Sequence, residues 1–162
     1  MNEASKTYEG GCACGAVRYR LESHPLFVHC CHCTWCQRET GSAFALNALI
    51  EADRVTLLQG SPVMTETPSN SGKGQNIWRC PDCQGALWSD YVGFRGEIHF
   101  VRAGTLDEPQ RLPPDIHIFT ASKLPWVVIP DDQPAVEIYY RSSEYWPKES
   151  LERVKRVRDA MQ

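Results

Sequence analysis

Eight cysteines fall into three groups along the 162-residue chain, and their spacings are those of metal ligands. Cys12-Ala13-Cys14 comes first. Cys30-Cys31-His32-Cys33-Thr34-Trp35-Cys36 then packs four thiols into seven residues, and Cys80-Pro81-Asp82-Cys83 completes the set.

The outer pairs have the form of a closed zinc site. In an extended segment residues i and i+2 point to one side. Cys12 and Cys14 can therefore present both sulfurs together, with Gly10, Gly11 and Gly15 giving the backbone room to turn. Cys80 and Cys83 bracket a two-residue knuckle stiffened by Pro81. Four thiolates hold zinc at roughly 2.3 Å in a tetrahedron, the usual structural arrangement. Such a site contributes about 10–16 kcal/mol in small peptides. That rivals the net stability of a whole domain, about 5–15 kcal/mol. Cys12, Cys14, Cys80 and Cys83 are thus expected to staple the N-terminal region to the middle of the chain; the competing reading is four unrelated buried cysteines.

The central cluster follows the same geometry to a different end. Cys31 and Cys33 share one face of an extended segment, and Cys33-Thr34-Trp35-Cys36 turns back as a knuckle. Three thiols converge, while Cys30 and His32 fall on the opposite face. Zinc on three protein ligands keeps a position open for water or substrate, the mark of a catalytic ion. A dication there lowers the pKa of a bound water or thiol and polarises a carbonyl. A substrate thiol in that position would be held as thiolate and aimed at an electrophile. Cys31, Cys33 and Cys36 are the expected catalytic ligands. Two other readings stand beside this one: a second closed site with Cys30 as fourth ligand, and a metal-free reactive thiol.

The elements that position these groups read as short strands. Eleven Gly and eleven Pro favour turns over long helices. Extended segments are expected at 17–21, 43–50, 54–59, 76–79, 86–89, 97–103, 117–120, 127–129 and 136–140, with surface loops at 68–75 and 107–115. That pattern predicts an all-β sandwich or barrel-like domain spanning 1–162. One helix is expected, at 147–161. Pro147 suits a first helical position, acidic Glu149 and Glu152 precede basic Arg153, Lys155, Arg156 and Arg158, and Leu151, Val154, Val157 and Met161 supply an apolar stripe.

A net charge of −3 with no basic stripe argues against nucleic-acid binding. Residues 1–11 lack the apolar centre of a signal peptide, and no apolar run is long enough to span a bilayer. A cytoplasmic location is expected, where clustered thiols point to metal or catalysis rather than disulfides.

The motifs resemble those of the glutathione-dependent formaldehyde-activating enzyme family, which also includes centromere protein V. Gly11-Cys12-Ala13-Cys14-Gly15-Ala16-Val17-Arg18-Tyr19 is similar to its opening motif. Cys31 through Cys36 followed by Thr40-Gly41-Ser42-Ala43-Phe44 is similar to its central one. Cys80-Pro81-Asp82-Cys83, then Arg102 through Asp107, then His117-Ile118, Ser122-Lys123 and Trp126 follow in the family's order, so the likeness spans about 8–140. The resemblance implies an Mss4-like fold of short, coiled antiparallel sheets with zinc-binding knuckles. It also implies two zinc ions: a structural one on Cys12, Cys14, Cys80 and Cys83, and a catalytic one on Cys31, Cys33 and Cys36. The implied activity is that of a carbon–sulfur lyase joining formaldehyde to glutathione as S-hydroxymethylglutathione. Its partners would be a small thiol or carbonyl compound. Members often carry Gly directly after the second knuckle, where Gln84 stands here before Gly85.

Other residues carry weaker expectations. His32, between two ligands, could serve as an acid or base, although its side chain should face away. His24, His29, His99 and His117 share no metal-ligand spacing and are expected to be surface or core residues. Lys123 and Arg38 are read as solvated charges before anion binders, and Trp78, Trp88, Trp126 and Trp146 as core or pocket-wall aromatics.

Overall fold

The computed structural model describes residues 6–162. Among them, β1 (Tyr8–Gly11), β2 (Arg18–Leu21) and β5 (Val55–Gln59) form an antiparallel sheet in the order β1-β2-β5. The second sheet contains β3 (Phe27–Cys31), β4 (Ala45–Glu51), β6 (Val63–Thr67), β7 (Gln75–Arg79), β8 (Ala86–Tyr91), β9 (Ile98–Arg102) and β10 (Ile116–Ile118). Its order is β10-β3-β4-β9-β8-β7-β6. The fold is all-β, as expected, with helices α1 (Thr34–Thr40), α2 (Ser142–Tyr145) and α3 (Lys148–Ala160) added.

Strand alternation assigns the large sheet two faces. Val28, Ala48, Ile50, Trp88 and Val101 lie on one of them and pack against Tyr8, Tyr19 and Leu21 of the small sheet. The opposite face carries Phe27 and Cys31, which pack with Ile116, Ile118 and Cys33, and Leu49 and Phe100, which pack with Leu26 and Ile98. Both faces of β4 are therefore covered, and its burial is nearly continuous, in keeping with its mid-sheet position. Each fully buried side chain such as Ile50 stabilises the fold by about 1.5–3 kcal/mol.

The C-terminal helix closes the second face. Val157 and the preceding Trp146 join the Leu49 and Phe100 cluster. Arg153 fixes the helix in place: its guanidinium donates to both Glu51 carboxylate oxygens at 2.8 and 2.5 Å, to the His24 carbonyl at 2.9 Å and to Ser23 Oγ at 3.2 Å.

The structure differs from the sequence expectations in several places. The 127–129 and 136–140 segments are not strands; Ala135 alone makes a single bridge, to His117. Pro130 and Pro134 remove ladder donors there, and Phe119 and Thr120 instead take irregular bonds to the Ile138 and Val136 carbonyls. The strands β1 and β6 were not expected, the first because Gly10 and Gly11 mask it, the second because it is an exposed edge strand. The β10–β3 pair is parallel, not antiparallel, with His117 opposite Cys30. Pro147 is the N-cap of α3 rather than its first residue. Finally, α1 is a helix where a knuckle was expected.

Candidate metal centre

The outer thiols meet at the junction of the two sheets' turns. Cys12 and Cys14 sit in the turn between β1 and β2, not on a strand, closed by bonds from Cys12 N to Val17 O at 3.1 Å and from Gly15 N to Cys12 O at 3.1 Å. A Cβ on Gly11 would lie 2.4 Å from the Val17 carbonyl, so the turn admits only glycine there. The knuckle between β7 and β8 is closed by Cys80 N bonding Gly85 O and Gln84 N bonding Cys80 O, both at 3.0 Å. Gln84 takes the left-handed conformation at φ 62°, a position glycine would occupy without strain.

The four sulfurs lie within 4.8 Å of one another, with 3.5 Å from Cys12 to Cys14 and 3.7 Å from Cys14 to Cys80. A tetrahedron of thiolates at about 2.3 Å from zinc has edges of roughly 3.8 Å. The set fits such an ion. Against the upward push of burial, the Val17 N–H and the neighbouring thiols bring Cys12 down to about 6.

The central thiols converge through a strand-to-helix turn. Cys31 is the last residue of β3, Cys33 is the N-cap of α1, and Cys36 sits in the first helical turn. Cys33 Sγ accepts from Cys36 N at 3.3 Å. The helix ends on Gly41, left-handed at φ 64°, whose N–H bonds Gln37 O. The three sulfurs lie within 4.8 Å of one another; Cys31 and Cys33 are buried and Cys36 is half-buried. Hydrogen bonds from the Cys31 and Cys36 thiols pull Cys33 down to about 3. The bond to Cys33 pushes Cys31 up to about 12, and the bonds to Cys31 and Cys33 push Cys36 upward.

Contacts far apart in sequence hold this turn. The His32 carbonyl accepts from Gln37 Nε2 and from Ser122 Oγ, each at 2.9 Å. Glu39, one turn beyond Cys36, accepts from Arg102 Nη2 at 2.9 Å and Arg79 Nη2 at 3.2 Å, tying α1 to β9 and β7. Arg102 Nη1 also donates to Asn47. Phe119, Tyr140 and Trp146 pack against the cluster containing Cys31 and Cys33. Tyr140 accepts from Trp146 Nε1 at 2.7 Å and bonds His29.

Cys30 and His32 lie away from these three thiols, as the alternation implied. Cys30 Sγ is 3.5 Å from His32 Nε2, which is 2.9 Å from His117 Nδ1. His117 is thus not an isolated core residue: it joins the other two in a third convergent group. Burial, with the neighbouring His117 and Lys123, lowers His32 to about 4, and burial raises Cys30 to about 12. His29 is buried, and His24 and His99 pair with Tyr8 and Asp90. Lys123 is half-buried, and its Nζ donates to the Leu124 and Val127 carbonyls. Trp88 and Trp146 pack in the core clusters, whereas Trp126 is exposed. No helix among the described residues is long and apolar enough to cross a membrane.

Residues 7–122 match the profile of the family described as glutathione-dependent formaldehyde-activating enzyme. The chain belongs to that family. A relative from Halomonas elongata, whose name assigns it provisionally to the same enzymes, is 32% identical over 127 residues, covering 75% of this chain and 80% of the relative. A solved Rhodobacter sphaeroides protein superposes with a TM-score of 0.46 at 21% identity, covering 61% of this chain and 87% of that one. The Cys and His clusters are compatible with metal binding in a member of this family.

Proposed function

We propose that this chain is a zinc-dependent enzyme of the carbon–sulfur lyase type, acting as one domain in the cytoplasm on an adduct of a small thiol and an aldehyde. Glutathione and formaldehyde are the thiol and carbonyl that the family's name suggests. Two zinc ions would be held. Cys12, Cys14, Cys80 and Cys83 would carry the structural one, and Cys31, Cys33 and Cys36 the catalytic one.

The observation that carries the reading is the composition of the central group. Three thiols converge, Cys36 is partly exposed, and the nearest extra thiol, Cys30, lies with His32 and His117 instead. A fourth position is thus left for a substrate sulfur or oxygen. The donor set suits zinc, which in such a site lowers the pKa of a bound thiol and polarises a carbonyl.

The chain's own residues bind, orient and shield. Cys33 caps α1 by accepting from the Cys36 N–H at 3.3 Å, which brings Cys36 to it. Glu39, held by Arg79 and Arg102, fixes that helix on the sheet. Phe119, Tyr140 and Trp146 make the inner wall apolar, which strengthens electrostatic interactions at the thiols. In the net reaction the thiol sulfur forms a bond to the aldehyde carbon, and the thiol proton ends on the former carbonyl oxygen.

The test is NMR detection of S-hydroxymethyl adduct formation from glutathione and formaldehyde, with and without the zinc-loaded protein. Acceleration that is lost in Cys36→Ser is expected. An uncatalysed rate with fully loaded protein, across thiols and aldehydes, would leave a zinc-stabilised binding module as the better reading.

A further inference from the structure

Cys30, His32 and His117 lie outside both thiol sets, yet their donor atoms converge as tightly. Cys30 and His32 project from one side at the end of β3, and the parallel register sets His117 of β10 opposite Cys30. One sulfur and two ring nitrogens lie within 4.8 Å of one another. Cys30, His32 and His117 are 1%, 0% and 6% exposed.

The protons can be placed. His117 Nε2 lies 2.6 Å from Gln133 Oε1, an oxygen that only accepts, so His117 carries its proton there and turns the Nδ1 lone pair inward. With protein groups alone, His32 must donate from Nε2 to reach that lone pair. The Cys30 thiol proton then finds no ring lone pair to bond. A cation in the cluster would use all three inward lone pairs at once. Gln133 already occupies the place of the outer oxygen that orients a metal-bound histidine.

We infer that Cys30, His32 and His117 form a third metal site, distinct from the two thiol sites, built for a monovalent thiophilic cation: Cu(I). One thiolate and two imidazoles are a donor set for a soft metal. Charge and coordination number choose the valence. Cu(I) on one thiolate is neutral overall, whereas a dication would leave a buried positive charge that interacts with nearby Lys123. Zinc would also lack a fourth ligand from the described residues. On binding, the Cys30 proton passes to solvent and Cu(I) takes its place; no electron moves. The bound ion would tie β3, β10 and the 130–135 turn together beside the central thiols.

The test uses the full-length protein as purified with its zinc, titrated anaerobically with Cu(I) from a chromophoric chelator while released zinc is followed with a dye. One Cu(I) per chain binding without zinc release in the wild type is expected. That equivalent should be lost in Cys30→Ser and in His117→Gln, with melting curves confirming that each variant folds. Cys30→Ala, which keeps the position apolar, serves if the serine variant does not fold. Copper that binds the wild type only by expelling zinc, or that fails to bind, overturns the inference. Equal uptake by the folded Cys30 variant overturns it too.

Discussion

Replacing Glu39 with Ala should loosen the central metal site while leaving the four-cysteine site untouched. Glu39 is the anchor of α1: its two carboxylate oxygens accept from Arg102 at 2.9 Å and Arg79 at 3.2 Å. The Glu39 and Arg102 side chains are 11% and 10% exposed, so the pair is largely desolvated. Removing one partner of a buried pair costs about 3–5 kcal/mol. Here Asn47 still accepts from Arg102, which puts the loss at the low end. The helix has seven residues and buries none of them, too short to hold its position on its own. Loss of the anchor therefore falls on Cys36. Removal of an outer residue supporting metal ligands typically costs about 10–100-fold in metal affinity, and 3 kcal/mol of docking energy sets an upper limit of roughly 140-fold. Zinc competition against a graded series of chelators reads this directly. The expected result is one equivalent of zinc weakened by that factor and a second unchanged, with Glu39→Gln falling between the alanine variant and the wild type. Wild-type affinity at both sites in Glu39→Ala would refute the role given to the anchor.

Other outcomes follow from the same structure. Arg153→Ala leaves Glu51 buried with only Arg54 at 3.6 Å and should cost about 3–5 kcal/mol in urea unfolding. Arg153→Met with Glu51→Gln should recover most of that loss. Although burial raises the Glu51 pKa, its bonds to Arg153 bring it below the usual carboxylate value. Its contribution is thus fully present above the unfolded value near 4.5 and is lost as pH falls through the lower folded one. An acid-unfolding limb shallower in the double variant than in the wild type is the expected sign. Gln84→Gly should match or exceed wild-type stability by up to about 1 kcal/mol, because the left-handed backbone favours glycine. Gln84→Val should lose about 1–2 kcal/mol by the same measurement. Cys12→Ser and Cys83→Ser should each lower melting temperature and solubility, while Cys33→Ser keeps the fold; equal unfolding in all three would abolish the division between the sites.

What the sequence revealed was what is local. Thiols two or three residues apart stay close in the turns and strand ends that hold them here, so Cys12 with Cys14, Cys80 with Cys83, and Cys31, Cys33 and Cys36 were legible from spacing. The alternation that turned Cys30 and His32 away from Cys31 was legible for the same reason. The helix α1 was not, because it buries no residue and so has no apolar stripe, and because its N-cap is a cysteine rather than a usual capping residue. Gly41 at its end was the signal available. The partnership of His117 with His32 depends on the parallel β3–β10 register across 85 residues, and the Glu39 anchor joins α1 to β7 and β9. No periodicity within one segment encodes either. The segment 136–140 looked like a strand by composition, but Pro130 and Pro134 and the irregular carbonyl pairing of Val136 and Ile138 keep it out of the sheet.

The central claim is that Cys31, Cys33 and Cys36 hold a zinc ion with a position open to substrate, apart from a structural zinc. Zinc per chain on wild-type protein and on Cys36→Ser, after incubation with excess zinc and removal of the unbound metal, with melting curves alongside, tests it most directly. The account predicts two equivalents falling to one, with little change in melting temperature. A wild-type protein that holds only one equivalent after zinc is added back, or a Cys36→Ser variant that still holds two, would contradict it.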